Sequence, residues 1–435
     1  MSKVIDVLVL GLAAAVVVFS AATVHAAESS PLPDPLTLEY ALSLADEADP
    51  SVAQAQADVD SARASVLEAD ANTAVNVDVE GRLRWIEPAD TSPDPSHDDN
   101  KVSLFVRKNL YDFGRSSALQ AAASAELAGK EQLLMDSRQQ RRLVIMRRYF
   151  AVLQADVEYA RDDEGMAVAY VDLDKLRQRR DLGQASDLDV LAKENEYQKT
   201  RRQRALSEAR MRATRAQLAI ALNRPGELPA NLAKPDLSRL KRQLPDYQVL
   251  LDKALADNHR LLALRERVKA AQQMVDAAYA GRRPRLSGEL EASSYSRSLG
   301  SNDKLRAGIY IDVPLYDGGT TNSAVARQQA ALYKVQAQLD EAERDVRQAV
   351  LDQWLELSNM NTRTDEARAL RDYRELYLDR SRAIYEMEVK ADLGDAMVRL
   401  SESQLAEDTA KYAIALAWER MNALTGGPVV QGDKP

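Results

Sequence analysis

Leu110-Tyr111-Asp112-Phe113-Gly114 recurs 205 residues later as Leu315-Tyr316-Asp317-Gly318-Gly319, and this recurrence decides how the rest of the chain is read. Each copy follows an alternating apolar and polar segment, precedes a long helical run, and belongs to a half that closes on Ala-Leu, at Ala221-Leu222 and Ala423-Leu424. Self-similarity at a fixed offset marks a duplicated structural unit. The expected organisation is a first repeat over 27–222, a linker over 223–245, a second repeat over 246–424 and a tail over 425–435. Pro225, Gly226, Pro229, Pro235 and Pro245 set the linker, since none of these residues continues a helix well.

Working back from the first junction, Val102, Leu104, Val106 and Leu110 alternate with Ser103, Arg107 and Asn109, with Phe105 off the pattern. This period of two predicts a strand over 101–111. Before it, Val75, Val77, Val79, Leu83 and Trp85 oppose Asn76, Asp78, Glu80, Arg82 and Arg84, predicting a strand over 75–86. The second half repeats the pair over 285–296, weakly through Leu286 and Leu290, and over 305–316, clearly through Leu305, Ala307, Ile309, Ile311, Val313 and Leu315. The connections over 87–100 and 297–304 are polar and read as exterior loops. Strands of about 10 residues with one apolar and one charged face suit a tilted membrane span. Four strands cannot close a barrel, which needs about 8 at least, and lipid tolerates no open edge. Several chains must then share one barrel, and a trimer supplies twelve strands.

Downstream of each junction the pattern turns helical. No proline interrupts 115–181 or 320–386, and 67 residues at about 1.5 Å each extend about 100 Å. Val325, Leu332, Leu339 and Val346 recur every seven residues, with Val335, Ala342 and Ala349 three places later, which predicts lengthwise packing on a partner helix. Return helices are expected over 187–222 and 395–424. Thr37 is a plausible N-cap for a helix running to about Asp70, and its counterpart starts near Asp246.

The 435 residues are 45% hydrophobic, 29% charged and 5% aromatic, a composition of extended helices that is ample for a folded core. The net charge of -9, with both signs interleaved, leaves no basic stripe for nucleic acid. No cysteine is present, so disulfides, thiol catalysis, Cys-ligated metals and a lipidated N-terminal Cys are excluded. His25, His97 and His259 are scattered, so metal-ligand spacing is missing and no cofactor is expected. Gly318-Gly319-Thr320-Thr321 lacks the ending of a phosphate loop. Asp162 and Asp163, or Glu194 and Glu196, point in different directions on a helix and make no acid/base pair. An enzyme is not indicated. Residues 1–26 read as a secretion signal: Lys3, an apolar run from Val7 to Phe19, then small residues around His25. A periplasmic coiled-coil scaffold would explain signal and heptads but not the four strands.

The order of elements, the duplicated Leu-Tyr-Asp-x-Gly junction and the signal resemble the TolC-like outer-membrane factor family over essentially the whole mature chain. The resemblance implies a mainly α fold with a β-barrel part: a homotrimer in the outer membrane, a shared twelve-stranded barrel in the lipid, and a long periplasmic α-barrel of antiparallel coiled coils. It also implies a periplasmic adaptor, an inner-membrane ABC or proton-driven pump, and passive conduction for efflux or type I secretion. Arg180 to Asp187 resembles the family's first tip, so Leu182 and Gly183 are expected to contact the adaptor. The same 205-residue offset places Met387 and Glu388 at the second tip, although Asp392-Leu393-Gly394 lies six residues further on. Asp187 and Asp189, with Asp392 and Asp395, then stand where the family narrows its tunnel with acidic side chains.

Overall fold

The protein is described from a computed structural model, covering residues 31–46, 49–237, 243–297, 299, 302–387 and 393–428. The expected signal lies outside the described residues. In chain order the elements are α1 (Leu38–Ser43), α2 (Pro50–Ala71), β1 (Val75–Arg82), β2 (Lys101–Tyr111), α3 (Arg115–Asp181), α4 (Asp187–Ala221), α5 (Tyr247–Asp257), α6 (His259–Tyr279), β3 (Arg285–Tyr295), β4 (Leu305–Asp312), α7 (Thr320–Glu386) and α8 (Leu393–Leu424). Helix α3 and helix α7 each have 67 residues. No helix among the described residues is long and apolar enough to cross a membrane.

The helix expected from Thr37 to about Asp70 is two helices. Thr37 does cap α1, its hydroxyl accepting the Tyr40 N–H at 3.2 Å. The chain then breaks, and α2 begins at the Asp49 N-cap, whose carboxylate accepts the Ser51 N–H at 2.9 Å. Pro50 explains the break, since it has no N–H for a continuing helix but suits a first helical position. The second half breaks likewise, with Asp246 capping α5 and Asn258 capping α6.

The strands form one antiparallel sheet in the order β1-β2-β3-β4. Two strands end sooner than the alternation predicts. β1 stops at Arg82, and beyond it Trp85 bridges Asp98 and stacks on His97 with ring centroids 5.3 Å apart. β4 stops at Asp312, because Pro314 has no N–H for the ladder. All helices attach at the end of the sheet carrying Val75, Tyr111, Arg285 and Asp312, and both hairpin loops lie at the other.

Near the sheet the helices pack side by side in the order α2, α3, α6, α7; further away the order is α4, α3, α8, α7. The heptad seam of α7 is buried at Val325, Leu332, Ala342 and Val346. Midway along the long helices a thicker girdle holds the main core. There Phe150 of α3 stacks on Tyr412 of α8 at 4.7 Å, and the Tyr149 hydroxyl donates towards the carbonyls of Leu36 at 2.8 Å and Ala233 at 2.6 Å. Burial pushes the Tyr149 phenol up to about 12, so it stays a donor. Leu36 pairs with Leu232 in a parallel bridge, which ties the linker to the N-terminal segment around this tyrosine.

Candidate functional site: a two-faced sheet, capped junctions and a helical tip

Register assigns every strand residue to a face. Val77, Val106, Leu290 and Ala307 share one row, and Val79, Leu104, Ala292 and Leu305 the next, all on one side. This face is open: Val79, Ile309 and Ile311 are 66%, 71% and 70% exposed. The opposite face carries a cross-strand charge network. Lys101 meets Glu291 at 2.6 Å, Arg107 meets Glu289 at 2.7 Å and Asp78 at 3.5 Å, and Arg285 meets Asp312 at 3.3 Å. Ser103 and Ser293 share a hydrogen bond of 2.7 Å among them. Phe105, which broke the alternation, belongs to this polar face and is buried beneath the Arg107 guanidinium, 4.1 Å from the ring centre. A cation over an aromatic face is favourable, so the ring is compatible with charged neighbours.

The duplicated junction has a shared geometry. Gly114 and Gly319 turn the chain with φ of +98° and +91°, in the region that favours glycine. Asp112 accepts the Ser116 N–H at 3.0 Å and the Asn109 amide at 3.0 Å, and also the Ser116 hydroxyl. Asp317 accepts the Thr321 N–H at 2.8 Å, the Gly319 N–H at 3.0 Å and the Thr321 hydroxyl. Each carboxylate therefore satisfies free amides at the start of a long helix. The Gly319, Thr320 and Thr321 amides are engaged by Asp317, which is the physical reason this stretch forms no open anion cradle. The sequence signal was Asp followed four places later by Ser or Thr in both copies.

Burial pushes Asp112 up, but the hydrogen bonds from Ser116 and Asn109 outweigh it and hold the carboxyl below its usual value. The Thr321 hydroxyl and amide lower Asp317 as well. A depressed folded-state pKa adds stability that is present above the unfolded value of about 3.9 and is lost as pH falls through the folded value. Asp112→Ala is expected to cost about 0.5–2 kcal/mol at neutral pH. The double variant with Asp317→Ala should have a flatter acid limb below about pH 4 in thermal unfolding followed by circular dichroism. An unchanged acid limb would contradict the capping role.

At the far end of the helices, α3 closes in a left-handed turn. Gly183 has φ of +72°, its N–H donates to Arg180 O at 2.8 Å, and the Gln184 N–H donates to Arg179 O at 2.8 Å. This is the Schellman pattern, which needs an achiral residue at the turn. Ser186 then caps α4 reciprocally with Asp189: Ser186 accepts the Asp189 N–H at 3.2 Å and Asp189 accepts the Ser186 N–H at 3.2 Å. The Ser186 hydroxyl and amide hold the Asp189 carboxyl below its usual value. Leu182, Leu188 and Leu191 are left exposed, 72%, 75% and 65%, around this turn. Asp187 is exposed beside them.

Helix α7 ends at Glu386, 205 residues after the end of α3, so Met387 stands where Leu182 stands in the first half; it is exposed. Glu388 and Asp392 lie outside the described residues. Asp395 is in the first turn of α8 and pairs with Arg399 at 2.5 Å. The return helix starts at Leu393, two residues before the expected 395. Gly394 is thus helical and marks a close approach: a Cβ there would lie 2.5 Å from a Val168 methyl of α3. The sequence offers Gly394 only as part of an alternative second tip, Asp392-Leu393-Gly394.

Asp163 and Glu194 have partners on the neighbouring helix, and Asp162 and Glu196 on their own. Asp163 meets Arg204 at 2.8 Å, Glu196 meets Lys193 at 2.9 Å, and Glu194 pairs with Arg177. Asp162 is buried against Arg161 at 2.6 Å. Among the described residues no group of His, Cys, Asp and Glu could hold a metal ion.

Comparison with known proteins agrees with this geometry. Residues 250–427 match the model of the family described as outer membrane efflux protein. The chain is 23% identical to the outer membrane efflux protein BepC of Brucella suis, over 59% of this chain and 56% of that protein, so it spans little more than half of that relative. It is 24% identical to the alkaline protease secretion protein AprF of Pseudomonas aeruginosa, over 78% of this chain and 72% of that one. The crystal structure of the outer membrane protein VceC of Vibrio cholerae superposes with a TM-score of 0.72 at 18% identity, over 90% of this chain and 96% of that chain. With its duplicated junction, four-stranded two-faced sheet and paired 67-residue helices, the chain resembles the TolC-like outer membrane efflux proteins, and the model of that family matches its second repeat.

Proposed function

We propose that the protein is the outer-membrane channel of a tripartite efflux or type I secretion system, a passive conduit for what an inner-membrane pump and a periplasmic adaptor deliver. The sheet carries this reading. One face is apolar and open, the other is charged, and β1 and β4 each have a single strand neighbour. In lipid those edges must pair, and pairing β4 of one copy with β1 of the next closes a barrel with the charge network inside. Three copies make a closed barrel of twelve strands. The same rotation sets α7 of one copy beside α2 and α4 of the next and closes a helical tunnel in the periplasm. The full-length chain expressed in a Gram-negative host should fractionate with outer membranes and give a trimer mass after detergent extraction. A soluble monomer would overturn the proposal.

The tip is where an adaptor docks in this scheme, on Leu182 and Gly183 in the first repeat and on Met387 and Glu388 in the second. The exposed leucines at the first turn support it. Leu182→Asp is expected to weaken adaptor binding at least about tenfold, measured by biolayer interferometry, with the trimer mass unchanged. Asp187, Asp189, Asp392 and Asp395 are the proposed constriction. Asp189 is held in the cap and Asp395 by Arg399, whereas Asp187 feels the charge of Arg180 without a hydrogen-bonded pair being formed, so Asp187 is the better candidate for an ion-facing group. Asp187→Asn should lower cation over anion selectivity in planar bilayers. Unchanged reversal potentials would remove Asp187 from the constriction.

A further inference from the structure

Lys108 is the single charged residue on the apolar face of the sheet among the described strand residues. Register places it in a row with Val75, Gly288 and Ile309, next to the row Val77, Val106, Leu290 and Ala307. Its side chain is exposed, while the neighbouring Arg107, Asp78 and Glu289 pair with one another on the other face. Beside it Gly288 and Ala307 contribute little or no side chain. A groove of about 700 Å³ opens there, walled by Val75, Val106, Leu290 and Ile309 with Lys108 at its rim.

The position along the strand matters as much as the charge. Lys108 lies three residues before Tyr111, hence about 10 Å from the helix-side end of β2 at about 3.3 Å per residue. Tyr111 and Phe113 meet edge to face at 4.6 Å at that end, and both are exposed, as is Tyr316. Exposed aromatics at a strand end mark the level of lipid headgroups in membrane barrels. A lysine on a lipid-facing surface lays its stem along apolar neighbours and sends its ammonium to that level. The periplasm-facing leaflet presents phosphate diesters there.

We propose that Lys108 and the Gly288 groove form a binding site for one anionic phospholipid of the periplasm-facing leaflet. The phosphate sits on the ammonium, and an acyl chain lies in the groove between Val106, Leu290 and Ile309. The proposal rests on the membrane-barrel reading above. An anionic headgroup is favoured because Lys108 is the one charged strand residue of this face among the described residues, and Glu289, which also borders the groove, is held by Arg107 on the other face.

Native mass spectrometry of the full-length assembly tests it, because oligomer mass and lipid adducts appear in one spectrum. Phosphatidylglycerol and phosphatidylcholine with the same acyl chains are titrated separately, and inorganic phosphate is the third probe. The wild-type trimer is expected to take up phosphatidylglycerol to one molecule per chain at concentrations at least about tenfold below phosphatidylcholine. Lys108→Met should lose that preference, Lys108→Arg should keep it, and Ala307→Leu should lose binding of both lipids by filling the groove. Equal adducts on Lys108→Met and wild type, or phosphate adducts without lipid adducts, would overturn the lipid site while leaving the barrel intact. A monomer mass for the wild type would overturn the barrel and the site together.

Discussion

Leu290→Arg is expected to abolish assembly in the outer membrane. Leu290 lies at the middle of β3, between Val106 of β2 and Ala307 of β4, and is 51% exposed on the apolar face. An arginine at the midplane of the lipid face of a membrane barrel costs about 2–4 kcal/mol, and a trimer incurs that once per chain, about 6–12 kcal/mol in all. Snorkelling offers little relief because both interfaces are far away. The matched control is Ser287→Arg, which places the same side chain on the charged face of the same strand, near Glu289. That variant should assemble normally. Heat-modifiable mobility of outer-membrane fractions on gels measures both. Equal assembly of the two variants would mean that this face does not meet lipid, and the soluble scaffold would become the better reading.

Phe150→Ala is expected to have the second largest effect, this time on the helical body. Phe150 is 1% exposed, stacks on Tyr412, and belongs to a cluster that joins α3, α4, α8 and the N-terminal segment. Truncating a buried phenylalanine removes its transfer free energy and leaves a cavity, costing about 3–5 kcal/mol. Little can collapse into the space, because α3 is fixed along its length by α4, α6 and α8. The trimer should then dissociate at a distinctly lower temperature, with pulse proteolysis nicking the girdle first. Phe150→Leu fills most of the volume and should lose markedly less. If the alanine variant melted with the wild type, the girdle would not be the stabilising core of the assembly.

Legibility varied with the kind of signal. The long helices were visible because an uninterrupted run free of proline needs no tertiary information: α3 and α7 occupy the stretches 115–181 and 320–386. The clear alternation of 305–316 located β4, but its far end was misjudged, since the pattern of Val313 and Leu315 continues past a proline that ends the ladder. Leu83 and Trp85 misled in the same way at the end of β1, where apolar residues in step with the strand belong to the loop. Phe105 looked like an exception because hydropathy cannot foresee a guanidinium lying over its ring. The first helix was read through its break because Leu38, Ala41, Leu42 and Ala45 keep the period up to the gap before Asp49.

The sequence by itself determined what depends on near neighbours along the chain. Those features are the duplication, the type and rough extent of each element, the two faces of each strand, and the glycine turn after Asp181. Period and turn chemistry are local, so they survive without a fold. The tertiary structure alone decided what depends on residues far apart. Register brought Glu291 to Lys101 and left Lys108 alone on the apolar face. Close approach of helices made Gly394 a packing residue, and hydrogen bonding turned Asp189 into half of a cap. Strand order left β1 and β4 as edges, and the need to pair those edges in lipid is what asks for more than one chain.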